Sequence, residues 1–187
     1  QSASRARIIQ SRRRDEMWAE APLRGEEQFS DLRYTGCLVE NPISFTDEGY
    51  ALAVHTRCAS GAHQSVKIML CVTVYNECAE ELQRTLASIS NNMRTQAARE
   101  GDNAWKSVLL CIICDGRDRV DPGLLRFASS IGIYDDNMLA TRESNVQAHL
   151  FEFTPQMRDS EDHWAKPLQM VLAIKERNAG KLDSHRW

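Results

Sequence analysis

Two nearly uninterrupted apolar runs constrain the fold of this chain more than any other feature. The first run is SVKIMLCVTVY, residues 65–75, and the second is WKSVLLCIICDG, residues 105–116. Such runs are typical of strands that are buried on both faces. Because helical patterns alternate with the strands, we expect an α/β fold with a parallel sheet that is covered on both faces.

The predicted order of elements from residue 65 onward is β-α-β-α-β-α. Apolar residues at helical spacing predict a first helix over 79–98. Asp121 followed by Pro122 is typical of an N-cap and the first turn of a second helix. A third strand is predicted over 145–156 and a third helix over 166–177.

The first 60 residues are predicted to form a polar tail and a small, irregular N-terminal region, ahead of an α/β unit over 61–187. Residues 1–30 mix arginines with acids, which favours a solvated or weakly helical tail over a basic arm for anionic lipid. Residues 30–60 contain short β-like pieces, and Ser60-Gly61 indicates a linker.

Composition excludes several classes of protein. The chain has 187 residues, of which 42% are hydrophobic, and this is enough for one domain with a core. Its net charge of -3 and pI near 6.0 argue against a dedicated nucleic-acid-binding protein. No apolar run reaches the roughly 18 residues that would predict a transmembrane helix. Residues 1–20 lack the apolar segment of a secretory signal.

Four of the six cysteines lie in or beside the apolar runs or at the start of the following helix, which is typical of free, buried thiols in a reducing compartment. Cys111 and Cys114 form a CxxC pattern, but they lie in a predicted strand, where residues three apart point to opposite faces. There is no second CxxC and no paired histidine. A zinc or redox site at these cysteines is therefore disfavoured.

Polar residues follow both apolar runs at the point where each strand should end. The first run leads into YNE, residues 75–77, and the second into DGR, residues 115–117. In open α/β sheets, ligands bind at the carboxyl ends of the strands. No glycine-rich phosphate loop is present, yet a nucleotide can be held here. Tyr75 can stack on a base, Asp115 can accept from a uracil N3–H, and Glu77 can accept from ribose hydroxyls.

These polar residues also have a second interpretation. Glu77 and Asp115 could cap the helices that follow them, although two acids on adjacent strands together favour a ligand. Lys181, in the turn Asn178-Ala179-Gly180-Lys181, could hold a diphosphate as a flexible point charge. A glycine and a basic last turn equally suit a helix C-cap, and spacing alone favours that cap.

Six motifs occur in one order between about Phe29 and Trp187: LRYTG, VTVYNE, WKSVLLCIICDGR, GIYDDN, AHLFEFTPQM and KERNAGKLDSHRW. With these motifs the chain resembles chitin synthase, a processive inverting glycosyltransferase of family 2. The last motif is the most specific, and the DGR strand is the next. Two departures are mild, since Asp183 stands where the family usually has Asn, and Cys114 where it usually has Ser.

The resemblance implies a Rossmann-like GT-A nucleotide-sugar fold, of which this chain would be the front half. It implies that Thr73, Tyr75 and Glu77 line the uridine pocket, that Asp115 recognises the uracil edge, and that Lys181 faces the diphosphate. The implied donor is UDP-N-acetylglucosamine, used with a divalent metal, usually Mg²⁺ or Mn²⁺. The implied acceptor is a growing β-1,4-linked chitin chain.

The resemblance also implies which parts lie elsewhere. In the family, the metal-binding Asp motif, the general base, the QxxRW motif and the transmembrane helices lie downstream of SHRW. We therefore expect no catalytic or metal-ligating residue in this chain, and no synthase activity from it alone. The parent protein would be a multi-pass plasma-membrane protein that can form a dimer, with this region on the cytoplasmic side.

Two alternative functions remain open at this point. One is a non-catalytic nucleotide-binding or scaffold module that reuses the fold. The other is a related synthase that makes hyaluronan or cellulose. Those enzymes share the first acid and the DG strand end, but their lysine turn is not expected to continue as SHRW.

Overall fold

The computed structural model describes residues 8–13, 31–38, 66–140, 145–158, 163–184 and 187. Its elements in chain order are β1 Ile8–Arg13, β2 Asp31–Cys37, β3 Ile68–Val74, α1 Ala79–Glu100, β4 Val108–Cys114, α2 Pro122–Ser130, β5 Ala148–Phe153, β6 Gln169–Lys175 and α3 Lys181–Ser184. Three short 3-10 helices lie over Ala104–Ser107, Arg117–Arg119 and Asp136–Ala140. No helix within these ranges is both long enough and apolar enough to cross a membrane.

The described strands form one six-stranded mixed sheet in the order β1-β2-β5-β6-β4-β3. Strand β4 pairs in parallel with both β3 and β6. The α/β prediction is confirmed, and the predicted parallel pairing is right for β3 and β4. It is wrong for the predicted third strand, because β5 is antiparallel to both of its neighbours, β6 and β2.

The predicted helix over 166–177 is wrong, because Gln169–Lys175 forms strand β6. All seven residues of β6 are buried, and the strand pairs with β4 on one side and β5 on the other. A short run that is apolar on every side has no distinguishing period, so its residues fit a helix and a central strand equally well. Residues 169–175 form a strand because β4 and β5 provide backbone hydrogen-bond partners on both sides.

The N-terminal part also differs from the prediction. Residues 8–13 form strand β1, which pairs with β2, instead of a solvated or weakly helical tail. Strand β2 is the β-like piece expected after residue 30, and its Leu32 and Tyr34 are fully buried. The predicted boundary at residue 60 lies outside the described residues, so the division into two domains stays a prediction.

Both long helices pack on the same face of the sheet. Leu82 and Leu86 of α1 and Leu124 of α2 join one core cluster with Leu110 of β4 and Leu172 of β6, and each is at most 3% exposed. Burying each such side chain contributes about 1.5–3 kcal/mol. The opposite face carries smaller clusters, one of which contains Ile113 and Ala173 beside Trp187.

The two ends of the CxxC pattern point to opposite faces, as predicted. Cys114 lies in the core under the helices, and Cys111 lies in a cluster on the other face. Burial raises the pKa of each thiol to about 12. At neutral pH both thiols are therefore protonated and poor nucleophiles.

Among the described strands β3 lies at the edge of the sheet, and the first apolar run is not buried on both faces as expected. Ile68 is 43% exposed and Met69 is 65% exposed, and Cys71 is also exposed. The prediction of a buried thiol is thus wrong for Cys71. An edge strand has a paired neighbour on one side only, so its side chains are less covered than those of a central strand. An apolar run does not show which position in the sheet its strand takes.

Candidate functional site

The carboxyl ends of β3, β4 and β6 meet at one cleft of about 370 Å³. This position follows from the parallel pairing of the three strands, which brings the loops after them to one edge of the sheet. The cleft is lined by Thr73, Val74, Tyr75, Glu77, Asp115, Asn178, Gly180 and Ser184. Four of the five residues predicted for a nucleotide site thus lie together.

Tyr75 and Glu77 are held by the turn after β3. The carboxylate oxygen Oε2 of Glu77 accepts hydrogen bonds from the backbone N–H of Tyr75 at 2.6 Å and of Asn76 at 3.1 Å. Glu77 therefore shapes the turn. The N-terminus of α1 is instead capped by Glu81, whose carboxylate accepts a 3.0 Å hydrogen bond from the backbone N–H of Cys78. The Tyr75 side chain is 41% exposed, so the turn leaves its ring open to solvent at the cleft.

Asp115 lies deeper in the cleft and is only 6% exposed. Its Oδ1 accepts from Lys175 Nζ at 2.8 Å and from Ala179 N at 3.2 Å. Burial alone would raise the pKa of Asp115, but the lysine ammonium and the amide N–H outweigh it and hold the pKa below its usual value. Asp115 is therefore an ionised acceptor at neutral pH. The cap of α2 is Asp121, which accepts from Leu124 N at 3.0 Å, as predicted.

Gly116 lets the loop after β4 approach the loop after β6. It adopts a φ of +99°, where residues with a side chain are strained. A Cβ at this position would lie 3.1 Å from Asn178 Cβ and 3.2 Å from Asn178 N. The glycine of the DGR motif thus sets the width of this side of the cleft.

Lys175 is not among the predicted site residues, because the sequence pattern predicts a helix over 166–177. Lys175 is the last residue of β6 and is only 3% exposed. Its ammonium also forms an ion pair with Asp183 Oδ2, in addition to the pair with Asp115. Two carboxylates from different loops therefore share one buried cation. This feature would have been visible in the sequence only if β6 had been recognised.

A second polar chain lies beside the cleft and joins four of the sequence motifs. Tyr34 Oη lies 2.9 Å from His149 Nδ1, and His149 Nε2 lies 2.5 Å from Glu176 Oε1. Arg117 donates to the same Glu176 oxygen at 3.0 Å. Residues of LRYTG, AHLFEF, KERN and DGR thus meet across β2, β5 and β6 and the loop after β4.

The electrostatics of this chain favour a neutral histidine. Burial lowers the pKa of His149, and the neighbouring Glu176 offsets this only in part. Burial alone would raise the pKa of Glu176, but the hydrogen bonds from His149 and Arg117 outweigh it and lower that pKa. A neutral ring that donates from Nε2 to Glu176 can accept from the Tyr34 hydroxyl at Nδ1.

Lys181 is the predicted site residue about which the structure says least. Its backbone begins α3, directly after Gly180, whose φ is +85°. Gly180 N donates to Asn178 Oδ1 at 2.8 Å, which closes the turn. The helix C-cap interpretation is wrong, because a strand and not a helix precedes this turn. The side chain of Lys181 lies outside the described part of the structure.

The described residues contain no group of three or more His, Cys, Asp or Glu side chains placed to hold a metal ion. The two carboxylates at the cleft, Glu77 and Asp115, each have an oxygen engaged by N–H donors. They do not by themselves form a site for a divalent cation, and the metal stays a prediction from the resemblance.

A model of the chitin synthase-like glycosyltransferase domain matches residues 68–187. The chain belongs to this family. The resemblance drawn from the six motifs is thereby confirmed, and the family identifies the chain as part of a glycosyltransferase.

A relative in this family supports the same assignment. The chain is 35% identical to "Chitin synthase 1" of Phytophthora sojae (strain P6497), over 92% of its own length. It spans 20% of the length of that relative.

Proposed function

We propose that this chain is the donor-nucleotide part of a chitin synthase and that its cleft holds the UDP portion of UDP-N-acetylglucosamine. The complete enzyme would transfer N-acetylglucosamine to the 4-hydroxyl of a growing β-1,4-linked chain, with inversion at the anomeric carbon. A carboxylate outside this chain would deprotonate that hydroxyl. The family match supports the class of reaction, and the cleft supports the position of the donor.

The observation that carries the proposal is the convergence of Tyr75, Glu77 and Asp115 at one cleft. An exposed phenol ring beside a buried, ionised carboxylate suits a nucleobase that stacks and donates one hydrogen bond. The uracil N3–H is such a donor. In this arrangement Asp115 recognises the base edge, and Glu77 faces the ribose hydroxyls beside Thr73.

The remaining assignments follow the family. Lys181 is proposed to face the diphosphate, since its backbone lies in the turn that closes the cleft. The parent protein is proposed to be a multi-pass plasma-membrane protein that can form a dimer, with this region on the cytoplasmic side. It would use Mg²⁺ or Mn²⁺ held by residues outside this chain.

Saturation-transfer NMR on this chain with UDP and CDP tests the proposal, because the method detects weak ligands. We expect saturation of the uracil protons with an affinity no tighter than about millimolar, equivalent to ~4 kcal/mol. CDP should bind more weakly, because cytosine presents an acceptor at N3. Equal signals for CDP and UDP would contradict base recognition by Asp115. Micromolar binding would contradict the proposal that the chain holds only part of the donor site.

Two variants sharpen this experiment. Asp115→Ala should abolish the preference for UDP over CDP. Asp118→Ala is the matched control, since it removes a nearby acid whose side chain is 72% exposed and does not line the cleft. We also propose that the chain alone has no synthase activity. Transfer of N-acetylglucosamine by a purified preparation of this chain would contradict that proposal.

A further inference from the structure

The strongest unassigned feature is the buried cation at the end of β6. Lys175 is 3% exposed and Asp115 is 6% exposed, whereas the Asp183 side chain is 26% exposed. A buried lysine is costly unless it is paired. Here Asp115 lines the cleft, and Asp183 precedes Ser184, which also lines it. Asp115 directly follows β4, and Asp183 lies in α3, the helix that Lys181 begins.

We infer that Lys175 is a positioning residue that ties the base-recognising Asp115 to the turn carrying Lys181, through its second partner Asp183. The inference rests on the proposed function for its ligand, but the tie itself is a property of the free chain. Lys175 reaches Asp115 from below the cleft and engages Oδ1. Its pair with Asp183 fixes α3 against the same ammonium. The base subsite and the diphosphate subsite thereby share one anchor.

A second contact strengthens this coupling. Ala179 N donates to the same oxygen of Asp115 at 3.2 Å, so the backbone leading into the turn is also held by the carboxylate. Neither contact uses Oδ2 of Asp115. The two hydrogen bonds to Oδ1 thus restrain the Asp115 carboxylate and also fix the position of the turn that contains Ala179. The tie thus joins Asp115 to α3, although the two are 66 or more residues apart in the chain.

Asp183 also offers a conservative test of the tie, because asparagine and alanine differ in what they leave for the Lys175 ammonium. An asparagine keeps an acceptor oxygen for the Lys175 ammonium, whereas an alanine removes it. Asp183→Ala should therefore loosen α3, whereas Asp183→Asn should keep most of the contact with Lys175 and leave α3 in place. Neither substitution removes Lys175 or Asp115, which makes loss of the fold less of a concern than for Lys175→Met.

The experiment measures binding of UDP and of uridine to each variant of this chain by saturation-transfer NMR. We expect Asp183→Ala to weaken UDP binding about five- to tenfold while uridine changes less than about twofold, because only the diphosphate end loses its anchor. Lys175→Met should weaken both ligands. Without the ammonium, burial should raise the pKa of Asp115. As the pH is lowered, the Lys175→Met variant should therefore lose UDP binding at a higher pH than the unsubstituted chain does. A purely structural lysine would lower the folded fraction without moving that pH.

Hydrogen exchange by mass spectrometry provides a readout that needs no ligand. Asp183→Ala should speed exchange at the Ala179 amide, which Asp183 does not itself contact. The control is Asp102→Ala, which removes another Lys–Asp pair, 2.8 Å from Lys166 Nζ to Asp102 Oδ1, at the amino ends of the strands. It should leave both UDP binding and exchange at Ala179 unchanged.

The outcomes separate this inference from the proposed function. If Asp183→Ala leaves UDP binding and Ala179 exchange as they were, the tie is overturned even though the cleft binds UDP. If the unsubstituted chain binds neither ligand, the proposed function fails, and faster exchange at Ala179 still supports the tie. If Asp102→Ala produces the same changes as Asp183→Ala, the effect is general destabilisation and the inference is overturned.

Discussion

Arg117 donates a 3.0 Å hydrogen bond to Glu176 across 59 residues of sequence. The same Glu176 oxygen lies 2.5 Å from His149 Nε2, so one carboxylate joins the loop after β4 to the interior of β5. The contact places the DGR loop against the end of β6, beside the cleft. Because His149 is buried among these side chains, the stability of the folded chain should depend on pH.

Unfolding of this chain should depend on pH through His149. Burial lowers the pKa of His149 in the folded state below its ordinary value of 6.5, so the unfolded chain binds the proton more readily. Stability is then full above about pH 6.5 and falls as the pH drops below it. Urea unfolding between pH 7 and 5 should show a decline that His149→Asn reduces. An unchanged slope in that variant would contradict the assignment of a neutral histidine.

Substitution of Asp115 should impair use of the donor in the synthase that contains this chain. Asp115→Ala removes a charged acceptor worth about 1.5–3 kcal/mol, which corresponds to a roughly tenfold to hundredfold loss in kcat/KM. Steady-state assays with UDP-N-acetylglucosamine measure this loss, and hydrogen exchange confirms that the variant is folded. If turnover is unchanged, Asp115 does not recognise the donor.

Gly116→Ala should narrow and strain the cleft. The added Cβ meets Asn178 at 3.1 Å and the backbone keeps a φ of +99°. Gly101→Ala is the matched control, because its φ is +96° and nothing lies within 4 Å of the added carbon. Both variants should lose about 1 kcal/mol of unfolding free energy through backbone strain. Only Gly116→Ala should also weaken UDP binding, and equal binding by the two variants would argue against a tight loop contact.

The exposed edge strand should make this chain associate. Ile68 and Met69 present apolar side chains on β3, which has a paired neighbour on one side only among the described strands. Such edges favour pairing with other chains. Sedimentation velocity should show oligomers that Met69→Lys shifts toward monomer. Leu182→Lys is the control, since Leu182 is 81% exposed but lies on α3. A monomeric unsubstituted chain would contradict the prediction.

The sequence by itself determined the elements that carry a clear local signal. Strands β3 and β4, helix α1 and the Asp121 cap follow from an apolar run, a helical period and a capping residue, each readable within a few residues. A general rule, that parallel strands end at one edge, predicted that Tyr75, Glu77 and Asp115 meet, and the family resemblance added Thr73.

Only the tertiary structure decided the features that depend on distant partners. Gln169–Lys175 became a strand because β4 and β5 flank it, and β5 runs antiparallel because its neighbours are β2 and β6. The pairing of Lys175 with Asp115 and Asp183, and the contact of Arg117 with Glu176, join residues that no local pattern relates. A buried charge is stable only beside its counter-charge, and which residues meet is set by the order of the strands and not by their spacing along the chain.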